Sequence, residues 1–386
     1  MERRRLKMSR SAHAYVRGNT VKFYEWLGSV AAAKLLPTGP AVWICGDCHI
    51  GNLGPVASAD GRIEIQIRDL DQTVVGNPAH DLIRLSLSLA MAARGSDLPG
   101  VTAALMLEQV MKGYTDALLK KRSNLREKDV EPVRLVMRQA MNREWKHLAE
   151  ERIEDVRPQI PLGKRFWALT KTERGEIDRV FSQEDVRTLI TCLKERGDKS
   201  AVEVLDAAYW MKGCSSLGRL RFAVLAGVGK KSSEGLCLMD IKEAVQAAAP
   251  RVEKATMPRN NAERVVAGAR ALSPFLGERM LAAQLGGKGV VLRELMPQDL
   301  KFEMDGLTQV QAIGAAYLFG AVVGKAHGRQ MESAVRKAWA REVSQTRSKT
   351  MDAPSWIWSS MVELAASHEA AYLEHCRHYA LERRGA

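Results

Sequence analysis

The sequence predicts an α+β protein in which a small strand-rich part is inserted between helical parts. A strand and a hairpin occupy residues 41–71, helical periodicity dominates from residue 81 to about residue 211, and Gly-rich turns with short strands follow before helices return. Because 386 residues exceed one typical domain of ~150 residues, we expect several units. We assign residues 1–211 and 299–386 to one large helical lobe and residues 212–298 to a small lobe.

The first strands are predicted by apolar runs and by a turn signal. An apolar strand covers 41–45, and two further strands cover 53–58 and 62–68 on either side of an Ala-Asp-Gly turn. An Asp-Gly turn between alternating runs is typical of a β-hairpin. This hairpin brings residue 69 back beside residue 52.

The other elements follow from the spacing of apolar residues. Helical spacing begins at Asp81 and continues to about Met211 with almost no strand signal. Short strands are predicted at 220–225, 236–241 and 290–295, with a helix at 262–272 between the last two. An apolar helix at 310–327 starts the C-terminal helical part.

Composition excludes several classes of protein. The chain is 46% hydrophobic and 27% charged, as expected of a globular protein. The longest uncharged apolar stretch, 311–324, is shorter than the ~20 residues of a membrane span, so we expect none. The first residues carry charge but no apolar run of a signal peptide, so we expect a cytoplasmic protein whose six cysteines stay reduced.

The excess of basic residues favours anionic partners. Lys and Arg exceed Asp and Glu by 13, which suits nucleic acid, phosphorylated metabolites or acidic lipid. Aromatic residues are only 6% of the chain and do not alternate with the basic ones. Nucleic acid is therefore the weaker expectation, and it would show as binding with a steep salt dependence.

The most informative segment is Gly-Asp-Cys-His-Ile-Gly-Asn at 46–52, on the loop between the first strand and the hairpin. Phosphoryl transfer needs a carboxylate to orient the attacking hydroxyl and a neutral oxygen ligand to hold Mg²⁺. Asp47 and Asn52 fit these roles. Because Mg²⁺ usually takes one or two carboxylates, Asp69 at the end of the hairpin is the expected second metal ligand.

These motifs resemble those of aminoglycoside phosphotransferases and, more distantly, protein kinases. The resemblance lies in Gly46-Asp47-x-His49-x-x-Asn52, then Asp69, then Gly76-Asn77-Pro78-Ala79-His80-Asp81-Leu82. It implies ATP and Mg²⁺ as cofactors and a hydroxyl-bearing acceptor that the sequence does not identify. It further implies that Asp81 braces the catalytic loop, with His49 and Asp71 as supporting residues.

The whole chain is also similar to the bacterial family known as domain of unknown function 2252. The similarity rests on Tyr15-Val16-Arg17-Gly18, the 46–52 loop, Gly213-x-x-Ser216-x-Gly218, Ile241-Lys242-Glu243-Ala244 and Glu263-Arg264-Val265-Val266. Leu70 and Gln72 depart from the residues usual in the family, Phe and Glu. These departures concern the residues that pack behind the expected metal site and not the metal ligand Asp69 itself.

The kinase resemblance gives the small lobe a role. A kinase needs a Gly-rich turn that approaches the phosphates and a strand lysine that neutralises them. The turn candidates are Gly213, Ser215, Ser216 and Gly218. Lys242 is the candidate lysine, and Glu263 is expected to pair with it because Glu243 would point to the opposite face of the strand.

The order of the parts implies a circularly permuted two-lobed kinase-like fold. The catalytic loop precedes the small lobe, whereas the helix that resembles the one before such a loop lies at 310–327. Permutation is tolerated where the original ends lie close together on the surface.

Three other readings remain beside an ATP-dependent phosphotransferase. A catalytically silent nucleotide-binding scaffold is left open by Leu70 and Gln72. A nucleic-acid-binding protein follows from charge alone. Cys45-x-x-Cys48-His49 also matches c-type haem attachment or half of a zinc site, but haem needs export and zinc needs a second ligand pair.

Overall fold

The computed structural model describes the chain except residues 1–4, 7, 30–35, 97, 124, 154–158, 195, 198–199, 213–217, 230–234, 305, 346–352 and 385–386. It is a mixed structure of helices and antiparallel strands, in agreement with the predicted α+β class. Among the described residues no helix has both the length and the apolar character that a membrane crossing requires.

The strands are β1 Val42–Ile44, β2 Leu53–Ala57, β3 Ile63–Ile67, β4 Val74–Gly76, β5 Phe166–Trp167, β6 Val202–Trp210, β7 Arg221–Val228, β8 Gly235–Glu243, β9 Met280–Leu285 and β10 Lys288–Leu295. The helices are α1 Ala12–Gly18, α2 Thr20–Leu27, α3 Ala79–Arg94, α4 Val101–Leu118, α5 Glu131–Met141, α6 Trp145–Arg152, α7 Lys171–Phe181, α8 Glu184–Thr191, α9 Asn261–Leu272, α10 Pro274–Gly277, α11 Gln309–Gly328, α12 Ser333–Glu342 and α13 Ser355–Arg384.

A six-stranded antiparallel sheet forms the strand-rich part, in the order β5-β6-β7-β8-β10-β9. Both of its faces are covered: apolar side chains of α7 and α8 pack on one face, and a second cluster around Trp210 packs on the other. Buried strands of this kind read as continuous apolar runs. The sheet therefore provides a rigid platform for the side chains at its end.

The sheet begins earlier than the predicted boundary at residue 212. Strands β5 and β6 lie in the stretch where helical spacing was expected to reach about residue 211. The pairing of β6 with β7 shifts between Val204 and Asp206, and such a bulge interrupts the period-two pattern that marks a strand. The prediction of an almost strand-free helical block is wrong at this point.

Two small antiparallel sheets frame the predicted catalytic loop. Strand β1 pairs with β4, and β2 pairs with β3 in the predicted hairpin, with Leu53 opposite Ile67. The loop at 45–52 joins β1 to β2, and the segment at 68–73 joins β3 to β4. One end of each small sheet is therefore connected to the other sheet through these two segments.

The large lobe is built on the contact between α4 and α11. Glycines allow the two backbones to touch: a Cβ on Gly113 would lie 2.0 Å from the Tyr317 carbonyl oxygen, and one on Gly320 would lie 2.1 Å from that of Val110. The apolar surface of α11 is buried in the main core together with α3 and α4. This packing fixes the C-terminal end of α11 against the first strand.

Candidate functional site

The loop that follows β1 is held by a buried carboxylate of α3. Asp81 accepts hydrogen bonds from the Cys45 N–H at 2.7 Å and from the Gly46 N–H at 2.9 Å. Gly46 has φ of 73°, and a Cβ there would lie 2.2 Å from the Gln72 carbonyl oxygen. The glycine is therefore required by backbone conformation and by space.

The brace on Asp81 extends to the end of α11. His327 Nε2 lies 3.1 Å from the Asp81 carboxylate, and the Tyr114 hydroxyl lies 3.1 Å from His327 Nδ1. Just beyond the helix, Gln330 accepts from the Trp43 N–H at 2.8 Å and donates to the Trp43 carbonyl at 3.0 Å. The C-terminal helical part thus meets the strand that precedes the loop.

Asn52 and the hairpin bring the second predicted carboxylate beside the loop. The Asn52 side-chain amide donates to the Asp47 carbonyl at 3.0 Å, and the Arg68 N–H donates to the Asn52 carbonyl at 2.7 Å. Asp69 follows directly and its side chain is 48% exposed. The hairpin therefore joins the Asp47–Asn52 loop and Asp69, and their roles in metal binding stay predictions.

The side chain of Asp47 is held by an arginine that sequence reasoning missed. Arg84 of α3 donates from Nε to the Asp47 carboxylate at 2.9 Å and from another nitrogen to the Val16 carbonyl at 2.7 Å. Arg84 is fully buried, and its guanidinium lies 5.3 Å from the Phe23 ring centre. A charged residue inside an apolar helix, three positions after Asp81, was the available signal.

His49 is buried next to Asp47 and stays uncharged. Its Nε2 lies 4.0 Å from the Asp47 carboxylate. Burial, with help from the Arg17 and Arg84 charges, lowers the pKa of His49 to about 3, against the pull of Asp47. At neutral pH this ring therefore contributes shape rather than charge, which suits the supporting position predicted for it.

Lys242 reaches the same place from the six-stranded sheet. Its ammonium group contacts the Asp71 carboxylate and lies 4.0 Å from the Asp69 carboxylate. Burial alone would lower the pKa of Lys242, but the Asp69 and Asp71 charges outweigh it and raise that pKa. Residues that are 171 positions apart or more thus form one cluster.

The two carboxylates that share this lysine titrate differently. The pKa of Asp71 is raised by burial and by the neighbouring Asp69 charge. Desolvation would raise the pKa of Asp69, but the Lys242 charge, the Asp71 N–H and the nearby arginine charges together lower it. Mutual repulsion across one cation separates the two groups, so Asp69 is the carboxylate that more readily stays ionised.

A narrow cleft surrounds Lys242. It encloses about 70 Å³. The charged residues that line it include Arg68, Asp69, Asp71, Arg221, Asp240, Lys242 and Arg293. Arg221 on β7 lies opposite Lys242 in register and donates to Asp240 at 2.8 Å. Burial would raise the pKa of Asp240, but the charge and hydrogen bond of Arg221, together with nearby lysine charges, lower it to about 2.

The expected pair between Lys242 and Glu263 is not formed. The Glu263 side chain is exposed at the start of α9, whereas Lys242 is occupied by Asp71. Successive helix residues point about 100° apart, and it is Arg264 that faces the site. Arg264 donates to the backbone carbonyls of Asp71 at 3.1 Å and Val245 at 2.8 Å, so α9 supports this segment through an arginine.

The remaining predicted residues lie partly outside the described chain. Gly213, Ser215 and Ser216 fall within the undescribed residues 213–217. Gly218 is exposed, has φ of 85°, and belongs to the connection from β6 to β7. Gly218 lies three positions before Arg221 of β7, which is the register partner of Lys242. The Glu243 carboxylate accepts from the Leu220 N–H at 2.9 Å and pairs with Lys288 at 3.1 Å.

The two cysteines of the loop form a buried cluster with Asp81. Candidate ligand atoms of Cys45, Cys48 and Asp81 lie within 4.8 Å of one another. Structural zinc takes four ligands, and the Asp81 carboxylate already accepts two backbone N–H groups. The pKa of Cys45 is raised well above its usual value, first by its hydrogen bond with Cys48 and then by burial, which favours the thiol over the metal-binding thiolate.

Comparison with known proteins now adds the family. Residues 1–378 match the model of a family described as an uncharacterized protein conserved in bacteria (DUF2252). The chain belongs to the DUF2252 family. No curated protein and no solved structure matches it. Because the match covers the predicted loop, the hairpin and the six-stranded sheet together, the candidate site lies wholly inside the DUF2252 region.

Proposed function

We propose that this DUF2252 protein is an ATP-dependent phosphotransferase with a circularly permuted, kinase-like two-lobed fold. The observation that supports this most is the meeting of Lys242 with Asp69 and Asp71, at 4.0 Å from Asp69, next to the loop that carries Asp47. Kinases combine a strand lysine, a metal-binding Asp and a catalytic-loop Asp and Asn in this way. The acceptor would be a hydroxyl of a small molecule or protein.

The donor set suits Mg²⁺ and a triphosphate. Asp69 offers a half-exposed carboxylate, and Asn52 offers an amide oxygen while its NH₂ group is engaged by the Asp47 carbonyl. Such hard oxygen ligands are those that Mg²⁺ prefers, and the metal would neutralise charge on the transferred phosphate. Lys242 would hold the phosphates, and Asp47 would orient the acceptor hydroxyl and take its proton.

The permutation is supported by the contact between the two ends of the large lobe. In the resemblance, the helix that ends Gly-Lys-Ala-His precedes the catalytic loop directly. Here Gln330, just past α11, is hydrogen-bonded to both backbone groups of Trp43 in β1. A circular permutation joins the original chain ends and opens the chain at another point. The spatial contact between the helix and the strand is kept, while their order in the sequence changes.

Binding and turnover variants test the proposal. Wild-type protein should show a thermal shift with ATP that requires Mg²⁺. Asp69→Ala should lose the Mg²⁺-dependent part of this shift, and Asp47→Ala should keep the shift but lose phosphate transfer from radiolabelled ATP to components of a bacterial extract. Asp178→Ala, at an exposed position of α7, is the matched control. Wild-type protein without any Mg-ATP shift would refute the proposal.

A second candidate is a nucleotide-binding scaffold without activity. The specific observation in its favour is that Asp71 occupies Lys242 and that the cleft encloses only about 70 Å³, whereas ligand pockets commonly measure ~300–1,000 Å³. Nucleotide entry therefore requires the Lys242–Asp71 contact to open. Phosphate transfer that disappears in Asp47→Ala would exclude the pure scaffold, and equal labelling by both proteins would count against the enzyme.

A further inference from the structure

A cation from the N-terminal part of the chain lies on the predicted catalytic loop. Arg17, at the end of α1, is exposed, and its guanidinium packs against Gly51: a Cβ on that glycine would lie 2.7 Å from an Arg17 nitrogen. Among the described residues no carboxylate forms an ion pair with Arg17. None of the roles proposed above uses this arginine, although it belongs to the Tyr15–Gly18 motif.

A second cation lies in the segment after β10, which packs on the strand that follows the loop. Lys301 is exposed and has no ion pair with any residue that the structure describes. Its segment lies on β2, since a Cβ on Gly54 would be 2.4 Å from the Leu300 carbonyl oxygen. Desolvation lowers the pKa of Lys301, and so do the charges of Arg17, Arg68 and Arg152.

Two carboxylates of this region are already engaged by arginines. Asp299 accepts from Arg279 at 3.0 Å and from Arg293 at 2.8 Å. Asp47 is paired with Arg84. Glu303 attracts Lys301, but more weakly than the three arginines repel it. The repulsion that the three arginines exert on Lys301 therefore exceeds the attraction of Glu303, and a bound anion would offset it.

We propose that Arg17 and Lys301 bind a phosphate group carried by the acceptor. This rests on the proposed function, because Arg17 contacts the loop that carries Asp47, the carboxylate that would orient the acceptor hydroxyl. A phosphate dianion matches two cations, and a guanidinium offers paired donors to phosphate oxygens. Neither Arg17 nor Lys301 lines the cleft around Lys242, so they are separate from the side chains that would hold the triphosphate.

Protection of Arg17 from chemical modification tests this without ATP. Phenylglyoxal modifies accessible arginines, and peptide mapping by mass spectrometry reports each one. Inorganic phosphate should slow modification of Arg17 several-fold, and acetate at equal ionic strength should protect much less. Arg187, an exposed arginine of α8, should react at the same rate throughout. Lys301→Gln should weaken the apparent affinity for phosphate by about tenfold, as expected for a lost charged contact.

A Lys242→Gln variant separates this site from the cleft. Protection of Arg17 by phosphate should persist in that variant, because the two sites are distinct. The proposal is overturned if tens of millimolar phosphate leave the Arg17 rate unchanged, if Lys301→Gln behaves as wild type, or if acetate protects equally well. None of these outcomes depends on nucleotide binding, so this proposal and the phosphotransferase proposal can fail independently.

Discussion

Replacement of Asp81 by asparagine tests whether one buried carboxylate positions the loop that carries Asp47. Asp81 is fully buried and accepts from the N–H groups of Cys45 and Gly46 at 2.7 and 2.9 Å. Asparagine keeps the shape of the side chain but turns one acceptor into an NH₂ donor. One backbone N–H then faces another donor and loses its partner.

The magnitude follows from the number of bonds affected. A hydrogen bond to a charged group contributes ~1.5–3 kcal/mol, and leaving a buried donor without a partner costs ~1–3 kcal/mol. Both figures describe largely the same loss, so they are not additive. The second bond persists but becomes weaker when the acceptor is neutral. We therefore expect Asp81→Asn to lower the free energy of unfolding by about 3 kcal/mol. This is below the ~5–15 kcal/mol of a typical domain, so the variant should still fold.

Urea unfolding with a matched control measures this effect. Asp178 in α7 forms an exposed ion pair with Arg174 at 3.4 Å, so Asp178→Asn should change stability by less than ~0.5 kcal/mol. The proposed phosphate transfer should fall in Asp81→Asn even where circular dichroism shows that the variant is folded, because the loop that carries Asp47 loses a hydrogen bond that positions it. A stability change in Asp81→Asn no larger than that of the control would refute the assigned role of this carboxylate.

Two further predictions concern acid stability and helix packing. Burial lowers the pKa of His49 to about 3 and those of His80 and His368 to about 4. The unfolded chain, with histidine pKa values near ~6.5, therefore takes up these protons first as pH falls. The free energy of unfolding should drop by ~1.4 kcal/mol per histidine per pH unit between about 6.5 and 4, and equal urea midpoints at about pH 7 and 5 would contradict this. In α11, Gly320→Ala should destabilise the protein by ~1–2 kcal/mol, because the contact with α4 costs more than the ~1 kcal/mol gained in helix propensity. Gly175→Ala in α7, where nothing lies within 4 Å of the new Cβ, should be neutral or stabilising in the same urea titration, and similar behaviour of the two variants would exclude the close approach.

Local signals predicted much of the strand-rich part. The hairpin over residues 53–67, the strands β7, β8 and β10 and the helix α9 are all found near their predicted positions. Each has a turn signal or an apolar run that depends only on neighbouring residues. Strand β6 was missed because its bulge at Val204/Asp206 interrupts the alternation. Nor did the sequence pattern predict β9, which is an edge strand of the sheet.

Charge pairing across the chain was harder to predict than the elements. The sequence indicated that Lys242 needs a carboxylate, and Glu263 was chosen because it opens the following helix. The structure instead supplies Asp71 from the segment after the hairpin. The identity of a partner depends on which side of α9 faces the sheet, and the Glu263-Arg264 pair of residues does not reveal that rotation. Carboxylates are plentiful in the sequence, and only tertiary packing selects among them.

The contacts that assemble the site explain why its supports escaped sequence reasoning. Arg264 donates to the carbonyls of Asp71 and Val245, Arg84 donates to the carbonyl of Val16, and the Thr73 hydroxyl donates to the carbonyl of Ile44 at 2.6 Å. Every residue has a backbone carbonyl, so the sequence does not reveal which carbonyl accepts. Only the side-chain donor can be recognised from the sequence. A buried arginine in an apolar segment is that signal. Because backbone groups provide much of this support, the Asp69 carboxylate remains half exposed, with contacts to the Lys242 ammonium and to the Asp71 N–H, as the proposed metal site requires.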